Sequence, residues 1–335
     1  MIDFSIIIPA YNLEGCIEKT LESICKNKLD NVEIIVVDDG SKDNTAIITK
    51  EYLADNRGPH FEVISQKNKG VSGARNAGIA KAKGRYLIFC DGDDLCAEDM
   101  IETIQAYKDM DYDMLVWRYD ILQGDKRRVS QKAFGEKVLT NQTALKSFLL
   151  GENRIRLGSF AVKKSLLKGK DIEFTEGCAI AEDVEFMYKC LAVSETVQTI
   201  DSVLYTYIKR DGSAMNQFDW KRFQAPAAMR RVYDYVKDNT DIFMNEDMED
   251  YLHNGLYLLH CLFSFESCIQ YLKGCKDAKE FVQTYMTEYR TIEAELKRVA
   301  KEMRRRPSGY SKFRMLLFCF SRRIYVYYYV MRAGK

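Results

Sequence analysis

None of the short signatures that would name a chemistry outright occurs in this chain of 335 residues. Its ten cysteines include no CxxC pair, which argues against a zinc ribbon or a dithiol redox centre. Cys261, Cys268 and Cys275 repeat at the spacing of one packed helix face. Zinc held by His253, His260 and Cys261 would lack a fourth ligand at helical spacing. There is no G-x-x-x-x-G-K-[ST] loop, which argues against an ATPase, and Gly70-Val71-Ser72-Gly73 lacks the G-x-G-x-x-G spacing of a dinucleotide site. No internal repeat or low-complexity linker breaks the chain. Met1 leads straight into an apolar run, so no signal peptide is expected, and reduced cytosolic thiols are the simplest reading of the cysteines. Formal net charge is only +1, yet residues 297–335 carry 12 Lys+Arg and one acid, Glu302, against 38 basic and 48 acidic residues in 1–296.

What is present is concentrated at Asp91-Gly92-Asp93-Asp94, directly after the apolar run Tyr86-Leu87-Ile88-Phe89-Cys90. Three carboxylates at the mouth of a buried strand lose hydration and repel one another unless a cation binds there. A hard divalent ion, Mg²⁺ or Mn²⁺, prefers such oxygen ligands, and Mg²⁺ shares its shell between carboxylates and substrate phosphates. A phosphate-bearing substrate is therefore expected.

The preceding residues predict an α/β domain. Phe4–Ile8, Val32–Val37, Phe61–Ile64 and Arg85–Cys90 read as buried strands. Between them, Ile17, Leu21 and Ile24 mark a first helix, and Asn44–Leu53 and Gly70–Ala82 two more. Alternation of this kind predicts a parallel sheet, with ligands beyond the carboxyl ends of its strands. Tyr11, Asp38, Asp39 and the acidic tetrad all fall at such ends. Taken alone, Asp38-Asp39-Gly40-Ser41 reads equally well as a turn and helix N-cap.

Four stretches together, Ile8-Pro9-Ala10-Tyr11-Asn12, Val37-Asp38-Asp39-Gly40-Ser41, Ser72-Gly73-Ala74-Arg75-Asn76-Ala77-Gly78 and Asp91-Gly92-Asp93-Asp94, resemble the family 2 glycosyltransferases. The resemblance spans roughly residues 1–215. It implies a GT-A fold, Rossmann-like with a mostly parallel sheet, and an inverting enzyme that uses a nucleotide-diphosphate sugar. On that resemblance Pro9, Tyr11 and Asp39 hold the nucleotide base: Tyr11 stacks on it and Asp39 accepts from a uracil N–H. Arg75 lies near base and diphosphate, Asp91 contacts the ribose, and Asp93, with Asp94 beside it, ligates the metal.

Beyond residue 110 the pattern changes. Tyr112–Leu122, Gly158–Val162 and Val203–Tyr207 are strand-like, and Asn141–Leu150 is a helix capped by Thr140. Glu182-Asp183 opens a helix running to Leu191, where the helix dipole by itself favours acids. The resemblance assigns more: Asp183 matches the general base that takes the acceptor hydroxyl proton, with Glu182 as the second candidate. Arg210 and Ser213 match, more loosely, a loop closing over the diphosphate, and Lys209 adds charge; Asp211 stands where the family usually has Pro. These features place a catalytic domain at 1–214, with a nucleotide-sugar half over about 1–110 and an acceptor half over about 111–214, followed by a helical region over 215–335.

In that region Tyr251–Leu272 is apolar nearly all round and predicts a buried helix. At its far end, about 310–331, Phe313, Leu316, Leu317, Phe320, Ile324, Tyr327, Tyr328 and Met331 share a helical face, while Arg322 and Arg323 interrupt any spanning run. A basic, aromatic helix of this kind fits an anionic membrane surface. Docking on the body and an oligomer contact are the competing uses of its face. No nucleic-acid-binding fold is recognised, so nucleic acid is not an expected partner. The expected function is transfer of a sugar, from a UDP-sugar, to a hydroxyl of a glycan or lipid-linked acceptor in cell-surface polysaccharide synthesis. The expected place is the cytoplasm, peripheral on the inner membrane face. A sugar-nucleotide pyrophosphorylase is the first alternative, but Pro9–Glu14 lacks a Gly-rich basic loop. A non-catalytic binding protein is the second, and the joint presence of Asp39, Asp91, Asp93 and Asp183 counts against it.

Overall fold

The structure, a computed structural model, describes residues 2–55, 60–129, 133, 135–149, 153–210, 221, 224–242 and 252. The first half is built from β1 (Phe4–Ala10), α1 (Ile17–Cys25), β2 (Val32–Asp38), α2 (Thr45–Asp55), β3 (Phe61–Ser65), α3 (Gly70–Lys81) and β4 (Tyr86–Phe89). These strands lie in the order β3-β2-β1-β4, each pair parallel. Successive side chains of a strand point to opposite faces, and both faces here are covered. Ile6, Ile8, Ile34 and Val36 pack with Ile17, Leu21 and Ile24 of α1, whereas Ile7, Ile35 and Val37 pack with Ala74 of α3. Double coverage is why β1, β2 and β4 read as largely apolar runs rather than alternating ones, while the edge strand β3 is only half-buried. Truncating any of these isoleucines to Ala would cost about 2–5 kcal/mol.

The second half adds β5 (Leu95–Cys96), α4 (Met100–Gln105), β6 (Met114–Gln123), β7 (Lys126–Val129), β8 (Lys137–Leu139), α5 (Asn141–Leu149), β9 (Phe160–Lys163), α6 (Lys164–Gly169), α7 (Glu182–Val193), β10 (Val197–Ile208) and α8 (Gln224–Asn239). The sheet continues β4-β9-β6-β10-β5, with β7 on β6 and β8 on β10. β9 runs antiparallel to β4 and β6, and β6 is parallel to β10. Six of the eight strands on the main path therefore point the same way, the mostly parallel sheet expected of a GT-A domain.

Several elements differ from the sequence reading. β10 begins at Val197 rather than Val203, because register shifts at Ile200/Val203 and Val203/Tyr205 break the alternation. β7 is Lys126-Arg127-Arg128-Val129, exposed throughout, so it has no apolar signal to read. α4 and α6 span six residues each, too few to establish a helical period.

Of the expected helical region, α8 is described. Its Ala228, Met229, Val232 and Val236 join the core that includes Phe186, Cys190 and Leu191 of α7. The Tyr251–Leu272 helix and the basic aromatic helix over 310–331 lie outside the described residues. Among the described residues no helix is long and apolar enough to cross a membrane.

Candidate active site

The carboxyl edge of the parallel strands gathers nearly every residue singled out above. β1 carries Pro9 at its end; the β4 ladder stops at Ile7, so Pro9 lies past it, where a missing N–H costs that pairing nothing. Tyr11 follows and is 42% exposed, a ring open to a ligand rather than packed in the core. The loop is held by the next βα connection: the Asn12 amide donates to Ser41 Oγ (3.0 Å), the Leu13 amide to Thr45 Oγ1 (2.7 Å), and the Lys42 amide to Asn12 Oδ1 (2.9 Å).

Asp39 is 2% exposed and accepts three hydrogen bonds, from Gln66 Nε2 (2.7 Å) and the amides of Lys69 and Gly70 (2.8 Å each). It fixes the entry to α3. Gly40, at φ +75°, turns the chain there, and a Cβ would meet Asn68 N at 3.0 Å.

α3 explains the second motif residue by residue. Asn76 pairs with the Phe174 backbone through Nδ2 to the carbonyl and the amide to Oδ1, both 2.9 Å. Gly78 lies against the sheet: a Cβ would come within 2.3 Å of Ile7 Cγ2. Arg75, expected beside the donor, is instead 3% exposed, set 5.1 Å over the Phe174 ring. Phe174 in turn stacks on Phe186 at 3.9 Å, with Phe89 edge-on to both. One Arg75 terminal nitrogen donates to Asp91 Oδ1 (2.8 Å) and the other to Glu182 Oε1 (3.1 Å). Burial alone would weaken its hold on the proton, but Asp91 and then Glu182 outweigh that and keep the guanidinium firmly charged. Arg75 thus joins the acidic loop of the first half to the helix start of the second.

The acids divide by environment. Asp91 remains about a third exposed beside Arg75. Asp93 is paired with Arg210, yet burial and then the charge of Asp91 push its carboxyl above the usual range. Asp94, expected beside Asp93 at a metal, turns into the core instead. It is 1% exposed, accepts from the Tyr205 hydroxyl and from the Ile208 amide (2.8 Å), and burial raises its pKa well above the ordinary value. It pins the loop to β10, leaving Asp91 and Asp93 at the edge.

Glu182 and Asp183 occupy the first turn of α7, after Ala181 in the left-handed region (φ 66°). Glu182 is committed to Arg75; burial, then Asp183, still lift its pKa. Asp183 is half-buried and accepts from the Val184 amide at 2.8 Å. Ser213 lies outside the described residues, so the structure places Arg210 but not its loop partner.

A divalent ion shared with a diphosphate requires only one or two protein carboxylates. Asp91 and Asp93 supply hard oxygen donors; burial and then the charge of Asp91 raise the Asp93 carboxyl despite Arg210, and a cation bound there would offset both. The donor set fits such an ion. Among the described residues no cluster of three or more His, Cys, Asp or Glu forms an all-protein cage.

Sequence reasoning missed Glu185, which is 1% exposed and fixes α7. It takes Thr175 (2.9 Å), Lys189 (2.7 Å) and Arg231 of α8 (2.6 Å). An acid four residues before Lys189 in a helical stretch was the available signal.

Comparison with known proteins identifies the family and the fold. The Glycosyl transferase family 2 model matches residues 5–169. The Bacillus subtilis uncharacterized glycosyltransferase EpsJ is 30% identical over 242 residues, 68% of this chain and 70% of its own length. Glycosyltransferase GlyG of Streptococcus pneumoniae is 29% identical over 253 residues, 71% of this chain and 82% of its own. Among solved structures, S. aureus TarS 1–349 in complex with UDP-GlcNAc has the same fold, with TM-score 0.70 at 23% identity over 90% of this chain and 83% of that one. The chain belongs to glycosyltransferase family 2, and its α/β domain is a GT-A glycosyltransferase domain.

Proposed function

We propose that this glycosyltransferase is an inverting, divalent-metal-dependent enzyme that moves a sugar from a UDP-sugar to a hydroxyl of a glycan or lipid-linked acceptor in cell-surface polysaccharide synthesis. The observation that carries this reading is the Asp91–Arg75–Glu182 bridge (2.8 and 3.1 Å), which holds the donor-side loop and the start of α7 at one edge.

In this reading Tyr11 stacks on the base, and Asp39 offers it the acceptor capacity its three internal bonds leave over, since a carboxylate has about four lone-pair positions. Pro9 shapes the same pocket. Asp91 takes a ribose hydroxyl. Asp93 holds Mg²⁺ or Mn²⁺, with Asp94 positioning the loop from behind; the ion, when bound, offsets charge on the departing nucleoside diphosphate. Arg210 and Ser213 bind the diphosphate. Asp183 takes the acceptor hydroxyl proton as that oxygen attacks the anomeric carbon from the face opposite the leaving group. Glu182 serves it less well as a base, because Arg75 already occupies its carboxylate. One displacement from the opposite face inverts the centre with no covalent enzyme intermediate.

Relatives support the pathway class: one matched protein is the Bacillus subtilis minor teichoic acid biosynthesis protein GgaB, at 30% identity over 71% of this chain and 27% of its own length. A Pyrobaculum calidifontis mannosyltransferase of the same fold (TM-score 0.54) binds GDP-Man and Mn²⁺. We place the enzyme in the cytoplasm, peripheral on the inner membrane face through the basic, aromatic segment over about 310–331.

The test is a donor-hydrolysis and transfer screen over UDP- and GDP-sugars, with Mn²⁺ and with EDTA. Metal-dependent turnover of a UDP-sugar, abolished by Asp93→Ala, is the expected result. Full activity of Asp93→Ala or in excess EDTA would remove the metal role, and turnover of GDP-sugars alone would remove the uridine assignment.

A further inference from the structure

Among the described residues at the same edge, Arg156 is a charged side chain with no role so far. β9 enters the sheet between β4 and β6 and runs against both, so the turn before it opens at their carboxyl ends, beside the acidic loop. That turn is rigid. The Arg156 amide donates to Ser159 Oγ (2.7 Å), which donates back to the Arg156 carbonyl (2.9 Å). Trp117 Nε1 donates to the Gly158 carbonyl (3.1 Å), and Gly158 presses so closely on the Tyr205 ring that a Cβ would fall 2.1 Å from it.

From this mount the Arg156 guanidinium lies 4.0 Å over the Tyr207 ring and 5.5 Å from the Tyr119 ring. Its Nε is buried with no hydrogen-bond partner. No carboxylate among the described residues forms an ion pair with Arg156. Arg75, Arg118 and Arg231, by contrast, each hold an acid. Asp183 is near enough for its charge to be felt at Arg156. The residue remains only half-buried, so part of it still faces solvent.

We propose that Arg156, on its platform of Tyr119 and Tyr207, is an anion subsite on the acceptor side, and that the acceptor presents a phosphate or carboxylate group to it. This rests on the glycosyltransferase reading of the neighbouring acids. A planar, stacked guanidinium is preorganised for an oxyanion: Tyr119 takes one of its hydrogen bonds and helps fix its plane, and its remaining in-plane donors can pair with a phosphate or carboxylate.

The test uses full-length protein with UDP and Mg²⁺ saturating the donor side, so that added phosphate reports on the acceptor side. Glycerol 3-phosphate is titrated and its phosphorus line width followed, with glycerol and acetate competing in separate arms. Wild-type protein should broaden the signal, and acetate but not glycerol should reverse it if carboxylates are also taken. Arg156→Gln should weaken phosphate binding about tenfold, the weight of one charge-assisted pair. Arg156→Lys, which keeps the charge but not the plane, should lose less. Arg128→Gln, on exposed β7, should lose nothing. In transfer assays on an alkyl glycoside and its phosphorylated counterpart, the ratio of kcat/KM for the two should fall by a similar factor in Arg156→Gln. Undiminished phosphate binding in both Arg156 variants would overturn the proposal. So would an equal loss in Arg128→Gln, which would mean diffuse surface charge. An equal loss of UDP affinity would assign the arginine to the donor diphosphate instead. A protein that turned over no sugar nucleotide would defeat the transferase mechanism, while the phosphorus titration would still decide this subsite.

Discussion

Arg75→Met is the substitution that tests the site's architecture most directly. Methionine replaces much of the aliphatic stem over Phe174 but removes the charge between Asp91 and Glu182. The Glu182 side chain is 11% exposed and cannot recover that loss from water, whereas Asp91, at 36%, can be hydrated. Removing one partner of a buried pair costs about 3–5 kcal/mol, because the other charge is left uncompensated. That cost should depend on pH in a definite direction. Burial and then Asp183 already hold the Glu182 pKa above its ordinary 4.5, against the pull of Arg75. Without Arg75 it rises further. A carboxyl whose native pKa is raised binds more protons folded than unfolded, so its contribution to stability falls as pH rises above about 4.5. The variant should therefore lose most at pH 8 and least near pH 5, where Glu182 gains its proton. Urea melts of both proteins at the two pH values, with unchanged slope, measure the difference. Adding Glu182→Gln to Arg75→Met should restore much of the loss at pH 8. Equal losses at both pH values, with no relief from Glu182→Gln, would refute the charge argument and leave only packing on Phe174.

Asp183→Asn should cut turnover about 10²–10⁴-fold, the usual weight of a general base, with donor affinity barely altered. If Glu182→Gln shows that loss in kcat and Asp183→Asn does not, the two roles are exchanged. Arg210→Gln, by releasing Asp93 from its ion pair, should tighten Mn²⁺ binding in the absence of donor while weakening UDP binding; electron paramagnetic resonance of free Mn²⁺ reads the first, and slacker metal binding would contradict it. A chain ending near Arg306 should lose binding to anionic vesicles while keeping activity on a short soluble acceptor, and the full chain should bind less tightly as salt is raised past the point where the Debye length falls below about 8 Å. Equal flotation of the two chains would remove the membrane role assigned to the tail.

Much of the domain was legible because the signals were local. β1, β2 and β4 are buried on both faces, so their apolar runs stand out, and each is followed by a polar turn that marks the carboxyl edge. The motif Ser72–Gly78 and the acidic tetrad could be found from residue order alone, and so could Glu182-Asp183 at a helix start. What the chain order could not express is contact between distant residues. Arg75 and Glu182 are 107 positions apart, and Asp94 and Tyr205 are 111 apart. Only folding made Arg75 a buried bridge rather than an open ligand-binding group, and turned Asp94 inward while Asp93 stayed at the edge. Three adjacent acids look alike in sequence. Desolvation and hydrogen bonding distinguish them, and both depend on which side of the loop faces β10. Residue order alone carried the alternation of strands and helices, the family and the chemical inventory. The tertiary structure decided which carboxylates are available to react, because that depends on burial and on partners brought from the far half of the chain.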